Sequence, residues 1–400
     1  MLKKIVLVLL LTITIILGVY YVQNKFMNGK NKENTETANV DEDAVIPDDT
    51  SIKMTVTGDV LCHNTNFWDA YYPATDSYDF SYSFEGIKKY FENADICVGT
   101  LESNFAGKAA GYSNYPLFNA PEDMAQDLKE LGYDVMATAN NHCLDKGFSG
   151  MVNTIAELDK VGIEHLGTYA TEEDSKEYLI KDVSGFKIGF LDYTYGTNGI
   201  SLPEGKEFAI NMIDKDKMKS DMEKIKAKDI DVLCVFMHWG QEYRLTPTDE
   251  QKELADFLFE NGADLILGSH THCLEPMEKR TVTLPDGTKK DGFVIYSLGN
   301  FMSGQNADHS RQSVILDIGL TKSGKDGKIS IDYVTYTPIY MYNFYVGKSA
   351  HVFKVMDIED EIAQYDSGER TITSNTYSTL KKELEQVYEI VGPEILTEGQ

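Results

Sequence analysis

Basic side chains are scarce in this chain of 400 residues. It contains 37 Lys and Arg against 64 Asp and Glu, so its formal net charge is -27 at pH 7. Nucleic-acid binding depends on Lys and Arg, which displace counterions from the phosphates. A surface this acidic therefore argues against a nucleic-acid partner. It favours solubility, and it favours cation binding wherever several carboxylates converge.

Cysteine is also scarce, with five residues in the chain. Small secreted domains held together by disulfides are dense in cysteine, so the sequence excludes that class. Cys97 and Cys234 lie inside apolar, strand-like runs and are predicted core residues. Cys62, Cys143 and Cys273 adjoin polar motifs, where they are either thiolate ligands or small apolar residues. We favour the second interpretation, because free cysteine usually packs as a small hydrophobe.

A signal-peptide cleavage site is missing behind the long apolar run Ile5–Val22. The residues that follow Gly18 are bulky, which favours an uncleaved anchor over a cleaved signal peptide. A helix over residues 5–22 would rise about 27 Å, close to the hydrocarbon thickness of a bilayer. We expect a cytoplasmic tail at 1–4 and an outward-facing domain. Lysines at 25, 30 and 32 do not favour that orientation, which rests on the shortness of the tail.

The segment at 23–50 is rich in acidic residues and has no basic residue after Lys32. It cannot bury enough apolar area to offset the entropy of ordering, so a disordered stalk is predicted. We expect one domain over 51–345 and a C-terminal extension over 346–400. The extension contains "STLKKELEQVYEIV", which is typical of an amphipathic helix that packs on the domain or docks a partner.

Apolar runs alternate with helical patterns from residue 51 onward, which predicts an α/β fold with a mixed or parallel sheet. Helices are expected near 121–131, over about 148–161, and from a Thr248 cap to a Gly262 stop. Strands near 311–320 and 328–337 have no helix between them, which indicates a second sheet or an antiparallel edge. No internal repeat is visible.

Six strand-like runs end in polar side chains. In open α/β sheets, functional sites form outside the carboxyl ends of the strands. Any one of these side chains alone has a structural explanation, such as a turn cap or a core histidine. Separate structural roles do not predict a shared position along the strands, so the joint pattern indicates a site. Its members are Asp59, Glu102, Asn141 with His142, His238, His270 with His272, and Asn300.

The side chains in this set indicate a metal site. Imidazole nitrogens mixed with carboxylate and amide oxygens suit Mn, Fe or Zn, whereas Ca²⁺ prefers oxygen alone. Six donors exceed what one tetrahedral ion needs, so one or two divalent ions are expected. Two ions together clamp a phosphoryl or carbonyl oxygen and activate water near neutral pH. A histidine that is not a ligand is a natural general acid beside such a site.

The ordered motifs "TGDVL", "LES", "ANNHCLDKG", "HWGQEY", "GSHTHCLEPME" and "YSLGNF" cover residues 57–301. They resemble the poly-γ-glutamate capsule biosynthesis protein CapA family, a branch of the calcineurin-like metallophosphoesterases. The resemblance implies a two-sheet β-sandwich flanked by helices, with metals at the strand ends. It also implies metal ligands and a general acid, His142, which Asp145 would orient. The implied ligands are Asp59, Glu102, Asn141, His238, His270 and His272.

The chain departs from the superfamily pattern in its first motif, where Leu61 stands in place of a histidine. Glu102 also stands where the wider superfamily has a bridging aspartate, and Thr100 stands where the family often has asparagine. Either the second ion binds weakly, or His63 or Cys62 completes the first ligand set. Asn140, Glu242 and Asn300 are expected to line the site with His63.

Two functions are therefore expected as alternatives. In the first, the chain is an outward-facing, membrane-anchored metal-dependent hydrolase in capsule biosynthesis, and its substrate is an anionic cell-surface polymer or the phosphorylated or peptide precursor of that polymer. In the second, it is a non-catalytic, metal-binding scaffold of a polymer-export complex. Polymer synthase or export subunits are the protein partners that the resemblance implies.

Overall fold

The computed structural model describes residues 48–284, 287–346, 350–369, 371–392 and 396–397. The predicted tail at 1–4, the anchor at 5–22 and nearly all of the stalk at 23–50 lie outside the described residues. Within those ranges, no helix is long and apolar enough to cross a membrane.

Strands and helices alternate through most of the described chain. The strands are β1 (Thr50–Leu61), β2 (Tyr71–Tyr72), β3 (Ser77–Tyr78), β4 (Ile96–Leu101), β5 (Val135–Ala137), β6 (Glu164–Leu166), β7 (Leu179–Val183), β8 (Phe186–Thr194), β9 (Val232–His238), β10 (Leu265–Ser269), β11 (Met277–Thr283), β12 (Lys289–Ile295), β13 (Asn300–Ser303), β14 (Gln312–Lys322), β15 (Ile329–Val346), β16 (Ala350–Asp357) and β17 (Leu396–Thr397). The α-helices are α1 (Asn64–Asp69), α2 (Lys88–Phe91), α3 (Asp123–Leu131), α4 (Gly147–Val161), α5 (Lys215–Lys226), α6 (Asp249–Glu260), α7 (Ile358–Ser367) and α8 (Ser374–Val391).

Two large mixed sheets form the centre of the molecule. The first sheet has the order β16-β15-β14-β1-β4-β5-β6, with β13 paired to β1 and β17 paired to β15. The second sheet has the order β11-β12-β10-β9-β8-β7. Within each sheet the central strands run parallel, β1 with β4 and β5 in the first, and β8, β9, β10 and β12 in the second.

The two sheets face each other across one apolar core, which contains Val98 from β4 and Phe236 from β9. A second apolar layer packs α3 on the outer face of the first sheet, and a third packs α5 and α6 on the outer face of the second. Strands covered on both faces are apolar at successive positions, which explains the continuous apolar runs in β4, β9 and β10. The predicted α/β fold with sheets flanked by helices is confirmed.

Two helix ends show local capping signals, of which the Thr248 cap was predicted. Thr248 and Gln251 form a reciprocal capping box at the start of α6. α4 ends at Gly162, whose φ of 77° is the left-handed conformation that glycine adopts most easily. Met151, Ile155 and Leu158 of α4 are buried, as the helical pattern predicted.

Three strand boundaries were predicted wrongly. β1 continues past Asp59 to Leu61, and β5 ends at Ala137 rather than at Asn141 and His142. The strand expected to end at Asn300 ends at Ile295, and Asn300 begins β13 instead. Gly299, with a φ of 70°, breaks the run between them. Asn300 nevertheless lies opposite Asp59, because β13 pairs in parallel with β1.

Beyond residue 345, β16 pairs with β15 along most of its length, so the first sheet continues into the segment predicted as an extension. The amphipathic pattern near the C-terminus corresponds to α8. Val387 and Val391 of this helix are buried in the core between the sheets.

Candidate metal centre

Two groups of buried side chains could hold metal ions at the carboxyl ends of the central strands. One group is Glu102, His238 and His270, and the other is Asp59, Glu102 and His272. Within each group the donor atoms lie within 4.8 Å of one another. Glu102 belongs to both groups, so its carboxylate stands between two candidate ion positions.

The two sheets contribute different kinds of ligand. The carboxylates of Asp59 and Glu102 come from β1 and from the end of β4, in the first sheet. His238 ends β9, and the other two histidines follow β10, in the second sheet. The centre therefore forms where the carboxyl ends of the two facing sheets converge.

A turn of unusual backbone conformation carries His270 and His272. Their φ angles are 90° and 58°, in the left-handed region that non-glycine residues rarely adopt. Gly268 precedes the turn, and a Cβ at this position would lie 1.9 Å from the carbonyl oxygen of Tyr296. The surrounding structure maintains the strained backbone of His270 and His272, as is common at functional sites.

Burial has a strong effect on the two carboxylates. Burial raises the pKa of Asp59 to about 7, and the backbone N–H of His270 opposes that shift. Burial raises the pKa of Glu102 well above its usual value, and the neighbouring charges of Asp59, Glu242 and Asp145 raise it further. Without a compensating cation, two ionised carboxylates at this position are unfavourable.

The three histidines of the groups favour the neutral form that binds metal. Burial lowers the pKa of His270 to about 3, and the charge of His142 lowers it further. The pKa values of His238 and His272 lie well below the usual range, first because of burial and then because of the neighbouring histidines. Neutral imidazole is the ligand form of histidine.

Several donor atoms of these groups have no hydrogen-bond partner among the described residues, although all are buried. They are Asp59 Oδ1, both carboxylate oxygens of Glu102, and His270 Nδ1. Buried polar atoms without a partner are rare in proteins, and a bound ion can satisfy such atoms. The residues present therefore fit a divalent transition metal, by donor type, by charge and by their unpaired atoms.

Asn141 lies beside the group that contains His238. Its Oδ1 is 2.7 Å from His238 Nε2, and the other ring nitrogen of His238 is 2.8 Å from Ser269 Oγ. On the other side, Asn300 Oδ1 is 3.1 Å from His272 Nδ1. Asn300 Nδ2 donates to the carbonyl oxygens of His272 and Ser310. Asn300 thus ties the His272 turn to the first sheet.

His142 and Asp145 form a buried pair next to these groups. Nδ1 of His142 is 2.7 Å from Asp145 Oδ2, which also accepts the backbone N–H of Phe118 at 2.6 Å. The Phe118 ring meets His142 edge-on, with the ring centroids 4.8 Å apart. Neither His142 nor Asp145 belongs to the two metal groups found among the described residues.

The remaining predicted site residues lie around the centre. His63 belongs to neither metal group, and its Nδ1 is 3.2 Å from the backbone N–H of Gly304. Burial also raises the pKa of the Cys62 thiol, which disfavours a thiolate ligand. His63 and Cys62 thus both lie outside the two metal groups found in the described part of the chain. Asn140 fixes the turn before His142 by accepting its N–H and donating to Leu101 O.

Glu242 and the remaining cysteines differ in their exposure to solvent. Glu242 is exposed at the rim, where its charge acts on Glu102. Cys97, Cys143, Cys234 and Cys273 are buried free thiols, and burial is the main cause that raises the pKa of each of them. They behave as small core residues, as predicted.

Sequence reasoning missed the loop that follows β8. Tyr195 stacks parallel to His238 at 6.3 Å between ring centroids and lies 4.5 Å from the His270 ring. Asn198 contacts both Asn141 and His142. β8 also ends at the edge that carries the other ligands, so its polar end "DYTYGTN" was the available signal.

The family model for "Bacterial capsule synthesis protein PGA_cap" matches residues 53–305. The chain belongs to this family. Among curated relatives of this PGA_cap member, "PGA biosynthesis protein CapA" of Bacillus subtilis strain 168 is 30% identical over 258 residues, which cover 60% of this chain and 62% of the relative. "Capsule biosynthesis protein CapA" of Bacillus anthracis is 26% identical over 284 residues, which cover 68% of this chain and 65% of the relative.

The match thus spans less than two thirds of the length of either relative. Among solved structures, the calcineurin-like phosphoesterase YfkN from Bacillus subtilis aligns with a TM-score of 0.42 at 15% identity, covering 85% of this chain and 98% of that chain. A TM-score and a sequence identity this low say nothing about activity.

Proposed function

We propose that this protein acts in the biosynthesis of a poly-γ-glutamate-type capsule polymer as a metal-dependent hydrolase. The observation that carries the proposal is the shared position of Glu102 in two buried ligand groups, beside the His142–Asp145 pair. The names of the relatives, which are capsule and PGA biosynthesis proteins, support the pathway. The proposed substrate is an anionic polymer or its phosphorylated or peptide precursor.

Each part of the centre has a distinct role in this proposal. Asp59, Glu102, Asn141 and the three histidines would hold one or two ions of Mn, Fe or Zn. The chemistry that these residues would recruit with such an ion is the polarisation of a phosphoryl or carbonyl oxygen and a lower pKa of bound water.

A side chain of the protein, His142, would transfer the proton. Asp145 accepts the Nδ1–H of His142, so the doubly protonated form of the ring would donate its Nε2 proton to the leaving group. The exposed Tyr195 lies 4.5 Å from His270 between ring centroids and would contact a substrate bound at the centre.

Metal content tests this proposal most directly. The purified full chain should contain a transition metal, and the His238→Ala/His270→Ala/His272→Ala variant should lose it while keeping its fold, as judged by circular dichroism. The wild type should also cleave a generic phosphodiester. If the folded variant contains as much metal as the wild type, these three histidines are not the metal ligands and the proposed centre is wrong.

A scaffold function is the second candidate, and Leu61 favours it. Leu61 is buried at the end of β1, where the superfamily has a histidine, so the group of Asp59, Glu102 and His272 contains a single imidazole. A weakly held second ion would serve structure or the binding of polymer carboxylates rather than hydrolysis. Polymer production by a His142→Ala strain separates the two functions.

We also propose that residues 5–22 anchor the protein in the cell membrane with the domain outside the cytoplasm. The apolar run and the acidic segment behind it support this placement. Protease added to wall-stripped cells should release a soluble fragment. Complete protection would contradict the orientation, and recovery of the chain from the soluble fraction would contradict the anchor. We propose in addition that polymer synthase or export subunits bind this protein.

A further inference from the structure

The loop Tyr195–Ile200, which we call the β8 loop, lies across the metal centre. The backbone N–H of Tyr195 donates to the carbonyl oxygen of His238 at 3.1 Å. The loop closes through Thr197 and Ile200, where the Ile200 N–H donates to Thr197 O at 2.9 Å and Thr197 Oγ1 donates to Ile200 O at 2.7 Å. These hydrogen bonds fix the backbone of the β8 loop and attach it to β9.

Asn198 is the exposed residue at the tip of this turn, with a φ of 51°. Gly199 follows in the same left-handed region, with a φ of 76°. Asparagine tolerates this conformation better than most residues, so the sequence Asn-Gly fits the turn. The tip places the Asn198 carboxamide between two residues of the proposed site, Asn141 and His142.

The first contact determines which way the Asn141 amide points. Asn198 Oδ1 accepts from Asn141 Nδ2 at 3.2 Å, while Asn141 Oδ1 points to His238 Nε2 at 2.7 Å. If the Asn141 amide were reversed, its oxygen would face the oxygen of Asn198. The acceptor on Asn198 thus selects the orientation in which the Asn141 oxygen, the only metal-binding atom of that amide, faces the centre.

The second contact concerns the His142 ring. Asn198 Nδ2 lies 3.5 Å from both ring nitrogens, so it is in line with neither of them. It restricts the ring from the side without occupying Nε2, while Asp145 holds Nδ1. One carboxamide therefore adjoins both a proposed ligand and the proposed acid.

We propose that Asn198 is a positioning residue that orients the Asn141 amide for metal binding and restrains His142 for proton transfer. This inference rests on the proposed function of the centre. Removing a side chain that hydrogen-bonds to a metal ligand typically lowers metal affinity or activity by about 10–100-fold. The effect expected for Asn198 is of this size, and it would act through Asn141 and His142, which its side chain contacts.

Two substitutions on the full chain separate positioning from turn formation. Asn198→Gly removes the carboxamide and keeps the left-handed backbone. Asn198→Asp retains an oxygen acceptor facing Asn141 Nδ2. Ser184→Gly is the matched control, because Ser184 is an exposed left-handed residue, with a φ of 52°, in the turn between β7 and β8.

Metal affinity is measured with Zn²⁺ and Mn²⁺ in competition with a chromogenic chelator, and kcat and KM with a generic phosphodiester. Asn198→Gly should raise the metal Kd and lower kcat by about 10–100-fold each, with little change in KM. Asn198→Asp should keep wild-type metal affinity, and Ser184→Gly should match the wild type in every value.

Wild-type metal affinity and kcat in Asn198→Gly would overturn the positioning role. Equal losses of metal affinity in Asn198→Asp and Asn198→Gly would overturn it as well, because the retained acceptor would then have no effect. A wild-type chain that binds no metal would instead overturn the proposed function, and the inference with it.

Discussion

Nδ1 of His142 lies 2.7 Å from Oδ2 of Asp145, and both side chains are buried beside the two metal-ligand groups. The Asp145 carboxylate accepts a hydrogen bond from Nδ1–H of His142. It therefore fixes the orientation of the ring and favours the tautomer that is protonated on Nδ1. Asp145 is itself fixed by the Phe118 N–H. A histidine held in this way, outside both ligand groups, is suited to repeated proton transfer at Nε2.

His142→Ala should therefore keep the metal and lose rate. Loss of a general acid typically lowers the rate by about 10²–10⁴-fold, most for poor leaving groups and least for activated ones. Phosphodiester turnover and elemental analysis of the same preparation check this. Asn141→Ala is the comparison, since it should lower both metal content and rate. If the His142→Ala strain makes normal surface polymer, the scaffold function is favoured.

Glu102→Gln should affect both ion positions, because Glu102 is common to both groups. Elemental analysis should show a larger loss of metal for this variant than for His270→Ala or His272→Ala, each of which removes a ligand from one group. The metal-free protein should instead become more stable, because the substitution removes a buried carboxylate whose oxygens have no hydrogen-bond partner among the described residues and whose charged form burial disfavours. Full metal content in Glu102→Gln would contradict the shared position.

Glu275→Gln should reduce the pH dependence of stability. Burial raises the pKa of Glu275 from 4.5 to about 7, although the Gln251 hydrogen bond and the Arg244 charge oppose the shift. Because the folded-state pKa is higher than the unfolded one, stability is fully present below pH 4.5 and is lost as the pH rises through 7.

That loss of stability amounts to at most about 3.4 kcal/mol, at 1.36 kcal/mol for each pKa unit between 4.5 and about 7. Urea unfolding at several pH values between 4 and 8 should show a smaller loss of stability for Glu275→Gln than for the wild type. Glutamine keeps an oxygen that can accept from Gln251 Nε2. Parallel pH curves for the two proteins would show that Glu275 does not titrate in this range.

Gly268→Ala should destabilise the protein and disturb the His270 turn. A Cβ there would lie 1.9 Å from Tyr296 O and 2.8 Å from Trp239 Nε1, so backbone must move. Overpacking of this kind typically costs about 1–3 kcal/mol. Gly86→Ala is the control, since its Cβ would meet Val355 O at an ordinary 3.6 Å. Urea midpoints check this, and equal midpoints for the two variants would contradict the prediction.

Much of the fold follows from local patterns. The Thr248 cap and the apolar runs of β9 and β10 are short-range signals, and each corresponds to an observed element. Boundaries near the site were predicted less well. Asn300 begins a strand because β13 pairs with β1, and pairing between distant segments has no local signal.

The sequence by itself determined the donor types and their placement at strand ends. Parallel strands expose their carboxyl ends at one edge, so side chains that follow several strands converge without further information. Asp59, Glu102 and the three histidines could therefore be selected from the pattern alone. The acidic composition and the mixture of nitrogen and oxygen donors indicated a metal in the same way.

Only the tertiary structure decided how these donors are grouped. Whether a ligand serves one ion position or two depends on how the two sheets face each other, and this arrangement places Glu102 in both groups and His63 in neither. The left-handed backbone at His270 and His272 sets where their rings point, and distant packing sustains that strain. The contacts of Asn198 with Asn141 and His142 join segments more than fifty residues apart, and no local pattern specifies such a contact.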